Sequence, residues 1–133
     1  MGYLETKHSD TLYATFRVGV GLLFFMYGLQ KMFGFWSNGP VPSMSIYWFA
    51  GIAELLIGLS LFTGVFVRLA SMFGIVEMFV AYLKGHALAN GSWIPAVNMG
   101  QPAVLFLFAF IATLAYGAKK CSLEIKIFGK EIF

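Results

Sequence analysis

Apolar residues occur along this chain in four long blocks separated by short polar segments. The blocks cover about residues 12–33, 45–67, 69–88 and 102–117. Each is close to the ~20 residues that an α-helix needs to cross ~30 Å of hydrocarbon at a rise of ~1.5 Å per residue. The pattern predicts an all-α membrane protein whose four transmembrane helices form an antiparallel bundle, followed by a short amphipathic or flexible tail over 118–133.

The segments between the blocks are short. Gly34–Ser43 and Ala89–Gln101 contain the Gly, Asn and Pro residues that are typical of loops between helices. The second and third blocks meet at Arg68, so a tight turn at the membrane surface is expected between them. We therefore predict one transmembrane domain over 1–133, with little folded mass outside the bilayer.

The composition favours a lipid environment. Hydrophobic residues make up 59% of the chain and charged residues 11%, and the mean hydropathy is +0.80. Soluble domains carry about 25% charged residues. The net charge of +3 does not indicate nucleic-acid binding, because the basic residues lie mostly at the ends of apolar blocks, where they meet lipid headgroups. The lipid bilayer is an expected partner, and nucleic acid is not.

Lysine and arginine are divided unevenly between the two ends of the predicted bundle. Lys31 and Lys84 fall on one side. Seven fall on the side of the termini: Lys7, Arg17, Arg68, Lys119, Lys120, Lys126 and Lys130. Since cytoplasmic segments of membrane proteins are rich in these residues, both termini are predicted to be cytoplasmic. The expected location is the cell membrane, plasma or inner, crossed by several helices.

Four ionisable residues fall inside the predicted spans: Arg17, Glu54, Glu77 and Lys84. Burying such groups costs a few kcal/mol, so they are rarely tolerated without partners or a purpose. Each shares a helical face with small residues, which membrane helices use for close packing. We therefore predict a buried charge network in the bundle interior, in which Arg17 reaches Glu77 and Lys84 reaches Glu54.

Two interpretations of this network are open. It either only fixes the register of the helices, or at least one carboxylate handles protons or contacts a ligand. Glu54 is the first candidate for proton handling because it is central and flanked by glycines. His86, near the outer end of the third block, is the second candidate, with a hydrogen bond to the outer loops or an idle interfacial side chain as the alternatives.

Other chemistry is poorly represented in the sequence. His8 and His86 are expected on opposite faces of the membrane, and Cys121 is the one cysteine, so no metal site, haem ligation or internal disulfide is predicted. The aromatic residues of the fourth block, Phe106, Phe108 and Phe110, are expected to face lipid or a partner subunit.

Short motifs along the chain are shared with a known family. The strongest is Gly51–Gly58, continued by Gly64 and Arg68–Ala70, and further ones are Arg17–Gly19, Gly28–Lys31 and Ala81–His86. On these residues the chain resembles the DoxX family of small four-helix membrane proteins from about Leu12 to Glu124. Gln101 stands where family members often have a glutamate, and the segment after the fourth block follows the family's glycine-rich ending only loosely.

The resemblance implies a subunit of a quinone-linked membrane oxidoreductase complex, since some relatives are subunits of a thiosulfate:quinone oxidoreductase and others are implicated in redox defence. A quinone would then occupy an apolar slot between helices, with Glu54 and His86 handling protons beside it. Other membrane subunits, or further copies of the chain, are the expected partners. The alternative function is a non-catalytic accessory or assembly subunit of a larger membrane complex.

Overall fold

A computed structural model describes residues 8–132, and this part of the chain is helical, without a strand. In chain order the helices are α1 (Ser9–Phe33), α2 (Ile46–Thr63), α3 (Val67–Val80), a π-helix (Ala81–Ala87), α4 (Leu88–Asn90), α5 (Pro95–Asn98), α6 (Gln101–Tyr116) and α7 (Leu123–Phe128). Lys7, which entered the charge count above, lies outside the described residues. Of the described helices, α1 and α2 are long and apolar enough to cross a membrane, and α6 is a shorter apolar helix.

The second helix is bounded by local signals. Ser45 caps its start, where the hydroxyl accepts a hydrogen bond from the Trp48 backbone N–H at 3.2 Å. Gly64 ends it with φ of 77°, a left-handed conformation that glycine adopts without steric cost. The tight turn predicted before Arg68 is confirmed, because α3 starts at Val67, three residues after Gly64.

Helices α1 and α2 pack closely because glycines face each other across their interface. A Cβ atom added to Gly21 would lie 2.6 Å from the Phe62 nitrogen, and one added to Gly58 would lie 2.5 Å from the Phe25 nitrogen. No side chain fits between backbones at this separation. The prediction that the glycine-bearing faces turn toward other helices is confirmed at these positions.

Helices α3 and α6 form the second close pair. Gly74 on α3 receives the ring of Phe110, where an added Cβ would lie 2.7 Å from the ring. Phe110 also makes an edge-on contact with Phe24 at 4.8 Å between ring centroids. One helical turn away, the hydroxyls of Ser71 and Thr113 are hydrogen-bonded at 2.6 Å.

The packing of Phe110 corrects one prediction. Its side chain is fully buried, whereas the sequence analysis placed it toward lipid or a partner. Phe108 is 61% exposed, as expected for that face. The difference arises because Gly74 leaves a hollow on α3 that an aromatic ring fills, and the sequence of α6 alone does not reveal that hollow.

After α6 the chain folds back over the end of the bundle, and we call residues Gly117–Ile132 the C-terminal strap. The Ser122 hydroxyl donates to the Gly64 carbonyl at 2.5 Å. Glu131 accepts a hydrogen bond from the Ala118 N–H at 3.0 Å and lies 3.7 Å from Arg68. These contacts fix the strap against the turn between α2 and α3.

Candidate functional site: a lysine and two buried carboxyl groups

Glu54 lies in the middle of α2 and is 2% exposed. Gly51, one turn earlier, lets α1 approach, since a Cβ there would lie 3.0 Å from the Cβ of Lys31. The Lys31 ammonium reaches into this space and pairs with Glu54, with 2.5 Å between Nζ and Oε1. Burial strengthens such a pair because less water screens the charges.

Glu77 on α3 completes the site. It lies close enough to Glu54 and Lys31 for both charges to act on it. Neither of its carboxyl oxygens has a hydrogen-bond partner among residues 8–132, although both are buried, and the same holds for Oε2 of Glu54. Three of the four carboxyl oxygens of the pair are therefore available to accept or release a proton or to contact a ligand. We call Lys31, Glu54 and Glu77 the carboxyl cluster.

The cluster contains two acids and one base. Its charges balance only when one of the two carboxyls holds a proton, because uncompensated charge is expensive in a medium of low dielectric constant. Buried polar atoms without partners are uncommon in proteins, and they are often found where a site acts on something else. The charge count therefore allows the cluster to hold one exchangeable proton.

Lys84 does not take part in the cluster, contrary to the predicted pairing with Glu54. Its side chain is exposed. The residues from Ala81 to Ala87 form a π-helix, in which each turn holds more residues than an α-helical turn. The face that carries Gly74 and Glu77 therefore does not continue to Lys84, and Lys31 takes the predicted position beside Glu54.

Arg17 is fully buried, as predicted, but it does not pair with Glu77. Its guanidinium donates to the backbone carbonyls of Leu61, Lys120 and Cys121, the last two at 2.9 and 3.0 Å. The Leu61 carbonyl lies in the last turn of α2, where intrahelical donors run out. Arg17 therefore ties α1 to the end of α2 and to the strap, which is a structural role.

His86 lies among the connections at the end of the bundle opposite the strap, and not in the carboxyl cluster. Its Nδ1 is 3.2 Å from the carbonyl of Asn98. Asn98 is 1% exposed and is the centre of this region: its amide donates to the Ser92 carbonyl at 2.9 Å, and its side-chain oxygen accepts from the Gly100 N–H at 2.8 Å. These bonds hold the α4–α6 connection in place, so the described contacts of His86 are with this connection.

An apolar groove runs between α1 and α6, with a volume of about 850 Å³. Among its lining residues only Tyr27 and Gln101 carry polar side-chain atoms, and Glu54, Glu77 and His86 are absent from its wall. Tyr27 precedes Lys31 by one helical turn, so α1 connects the groove with the carboxyl cluster. No group of three or more His, Cys, Asp or Glu side chains with the spacing of a metal site occurs in the described part of the chain.

Comparison with known proteins agrees with the motifs. The DoxX family model matches residues 12–87, which is more than half of the chain and includes Lys31, Glu54, Glu77 and His86. The chain belongs to the DoxX family. An uncharacterized protein of Haemophilus influenzae is 31% identical over 138 residues, which cover 98% of this chain and 100% of that relative. No solved structure matches this chain. This DoxX protein is accordingly a membrane protein.

Two important residues of this DoxX protein were missed from sequence. Lys31 entered the sequence analysis only as one of two cations away from the termini and as the end of the Gly28–Lys31 motif, and it was not assigned to the charge network. Asn98 was not singled out from the sequence. Its role as a hydrogen-bonding centre depends on the folding of the loop and has no periodic signal.

Proposed function

We propose that this DoxX protein is a multi-pass subunit of a quinone-linked oxidoreductase complex in the plasma or inner membrane, where the carboxyl cluster handles protons. The observation that carries the proposal is the pair of buried carboxyls, Glu54 and Glu77, beside a single ammonium group. Family membership supports the membrane setting. Quinone reduction and oxidation take up and release protons as well as electrons, so a proton-exchanging site is a natural part of such a complex.

We place four spans in the membrane, with both termini cytoplasmic. Helices α1 and α2 have the required length and hydropathy. From Val67 to Asn90 the helical path continues through the π-helix without a break, which supports a third span, and α6 has 16 residues, slightly short of the usual ~20. Arg17, Lys119 and Lys120 lie together at the end that carries the strap, in agreement with the positive-inside rule.

The groove between α1 and α6 is the proposed quinone position. Its apolar wall suits an isoprenoid tail and a ring, while the Tyr27 hydroxyl and the Gln101 amide are donors for the two quinone oxygens. The groove and the carboxyl cluster share no lining residue. The proposal therefore assigns them separate tasks, quinone binding and proton exchange, connected along α1 through Tyr27 and Lys31. In this proposal, the electrons come from another subunit of the complex.

The test is the quinone-dependent turnover of the complex isolated from native membranes. Glu54→Gln and Glu77→Gln each keep the size of the side chain and remove its ability to ionise, and we expect at least about 10²-fold lower turnover. Glu131→Gln is the matched control, since Glu131 lies in the strap and its loss should leave turnover unchanged. Full turnover in both cluster variants, with the complex intact, would exclude proton handling by this chain.

A non-catalytic accessory role is the second candidate. The open apolar groove favours it, because a helix of a partner subunit would cover the same surface. The two candidates differ in how Tyr27→Phe and Leu105→Ala behave. If a quinone binds in the groove, Tyr27→Phe should impair turnover because it removes the hydroxyl donor. If the groove instead holds a helix of a partner subunit, Leu105→Ala should release that partner during purification in mild detergent.

A further inference from the structure

The C-terminal strap separates its acidic residues from its basic ones. Glu124 is fully buried, and Glu131 turns toward Arg68 and the Ala118 N–H. Lys126 and Lys130 are exposed, and neither forms an ion pair within residues 8–132. The outward side of the strap is therefore purely cationic.

Exposed apolar side chains lie next to these lysines along the strap. Ile127 is 69% exposed and Phe128 is 54% exposed, and Leu123 and Ile132 are both more than 40% exposed. Large exposed apolar residues beside unpaired lysines are typical of segments that lie in the interface of a membrane. Lysine stems cover apolar surface while their ammonium groups stay among the headgroups.

The strap is also held where an interface would be. The Ser122 hydroxyl bonds to Gly64 at the end of α2, and Arg17 on α1 donates to the carbonyls of Lys120 and Cys121. The Ser122 contact lies at the C-terminal end of α2, and Arg17 lies about two turns from the start of α1; both helices are long enough to cross a membrane. The strap is therefore fixed at the end of the bundle, close to where the helices meet the lipid headgroups.

We propose that the outward side of the strap binds anionic phospholipid, with Ile127 and Phe128 at the boundary of headgroups and acyl chains and with Lys126 and Lys130 on the lipid phosphates. An anionic lipid surface fits better than a second copy of the chain, because two purely cationic surfaces repel each other. The location in the cytoplasmic leaflet rests on the orientation proposed above, whereas the lipid preference itself does not.

The test uses the full chain in lipid vesicles. Cys121→Ser removes the one native thiol and keeps the backbone carbonyl that Arg17 uses, and Ile127→Cys then carries an environment-sensitive fluorophore. The vesicles contain phosphatidylcholine with or without phosphatidylglycerol in both leaflets, together with a quencher attached to the acyl chains. Since the leaflets are identical, the result is independent of how the protein is oriented and of the redox proposal.

We expect quenching in the phosphatidylglycerol vesicles and little in phosphatidylcholine alone. Replacing Lys126 and Lys130 by Gln should lower the equilibrium constant for binding of the strap to the lipid surface by about 5-fold per lysine at low salt, and added salt should lower it further. Lys84→Gln, an exposed cation at the other end of the bundle, is the matched control and should have no effect. In the unlabelled protein, the lysine double variant should also retain fewer phosphatidylglycerol molecules in native mass spectrometry.

Equal quenching in both lipid mixtures would overturn the proposal, as would a label that stays in water in both. Concentration-dependent energy transfer between labelled copies, without quenching by lipid, would assign the surface to a second chain and would also overturn it. None of these results bears on turnover of the Glu54→Gln variant, so the two proposals fail separately.

Discussion

The charged groups at the two ends of the α1–α2 pair differ in how completely they are hydrogen-bonded. At the strap end, both terminal nitrogens of Arg17 donate to backbone carbonyls, and Nε is left without a partner. At the other end, Lys31 pairs with one carboxyl oxygen while three oxygens of Glu54 and Glu77 have no donor in the described chain. The comparison teaches that burial of a charge alone does not indicate function, whereas the completeness of its hydrogen bonding separates a structural group from one that is open to chemistry.

The largest expected effect is at the strap end. Arg17→Met would leave the carbonyls of Leu61, Lys120 and Cys121 without their donor, and each buried unpaired group costs about 1–3 kcal/mol. We expect the free energy of unfolding in detergent micelles to fall by about 3 kcal/mol or more. Arg17→Lys keeps the charge but not the planar fork and should recover only part of the loss. A Met variant as stable as the parent would show that these bonds add nothing to stability.

The next effect concerns two glycines of α1, one of which lies at the interface with α2. Gly21→Ala puts a Cβ 2.6 Å from the Phe62 nitrogen, so α1 and α2 must separate, and we expect a loss of about 1–3 kcal/mol in unfolding experiments. Gly19 lies on the same helix with open space around it, and Gly19→Ala should raise stability by up to about 1 kcal/mol. Similar values for the two variants would contradict the close approach of the helices.

A smaller effect of opposite sign is expected at the carboxyl cluster. Glu77→Met removes a buried group that has no hydrogen-bond partner among residues 8–132, so stability should rise by about 1–2 kcal/mol. This result would sharpen the contrast with Arg17, where the change to Met destabilises. Val76→Met, at the exposed neighbouring position, should change little. If Glu77→Met lowers stability, the carboxyl has a structural partner and the comparison fails.

The smallest effect is expected for the ion pair on the surface of the strap. Arg68 and Glu131 are 3.7 Å apart, and the Arg68 side chain is 48% exposed, so water and salt screen their attraction. Arg68→Gln should lower the free energy of unfolding by less than about 1 kcal/mol, measured as for Arg17. If Arg68→Gln lowered the free energy of unfolding as much as Arg17→Met, an exposed cation would stabilise the strap as strongly as a buried one.

The sequence predicted the burial of charged residues more accurately than it predicted the partners of those residues. Arg17 and Glu54 are buried on faces that carry glycines, as their spacing indicated. The partners of both were wrong. Helical periodicity assigns a residue to a face of its own helix. Its partner on another helix depends on how far the two helices are displaced along their axes, and the glycine contacts between α1 and α2 set that displacement.

The proton-handling roles of Glu54 and His86 stay predictions, and the structure separates the two residues. Glu54 lies in the carboxyl cluster, whereas His86 contacts Asn98 in the connection between α4 and α6. The sequence placed Glu54 and His86 beside one quinone because both follow motifs of the family. The π-helix between Glu77 and His86 changes the helical face, and a change of helix type has no signal in the hydrophobic pattern.

By itself, the sequence determined the apolar segments, the glycine-bearing faces and the membership of the DoxX family, because these follow from the order of residue types along single helices. Only the tertiary structure decided that Lys31 and not Lys84 meets Glu54, that Arg17 binds carbonyls, and that Glu77 has no donor in the described part of the chain. The physical reason is that a buried charge takes the partners within reach of its side chain, and that reach is fixed when helices pack against one another.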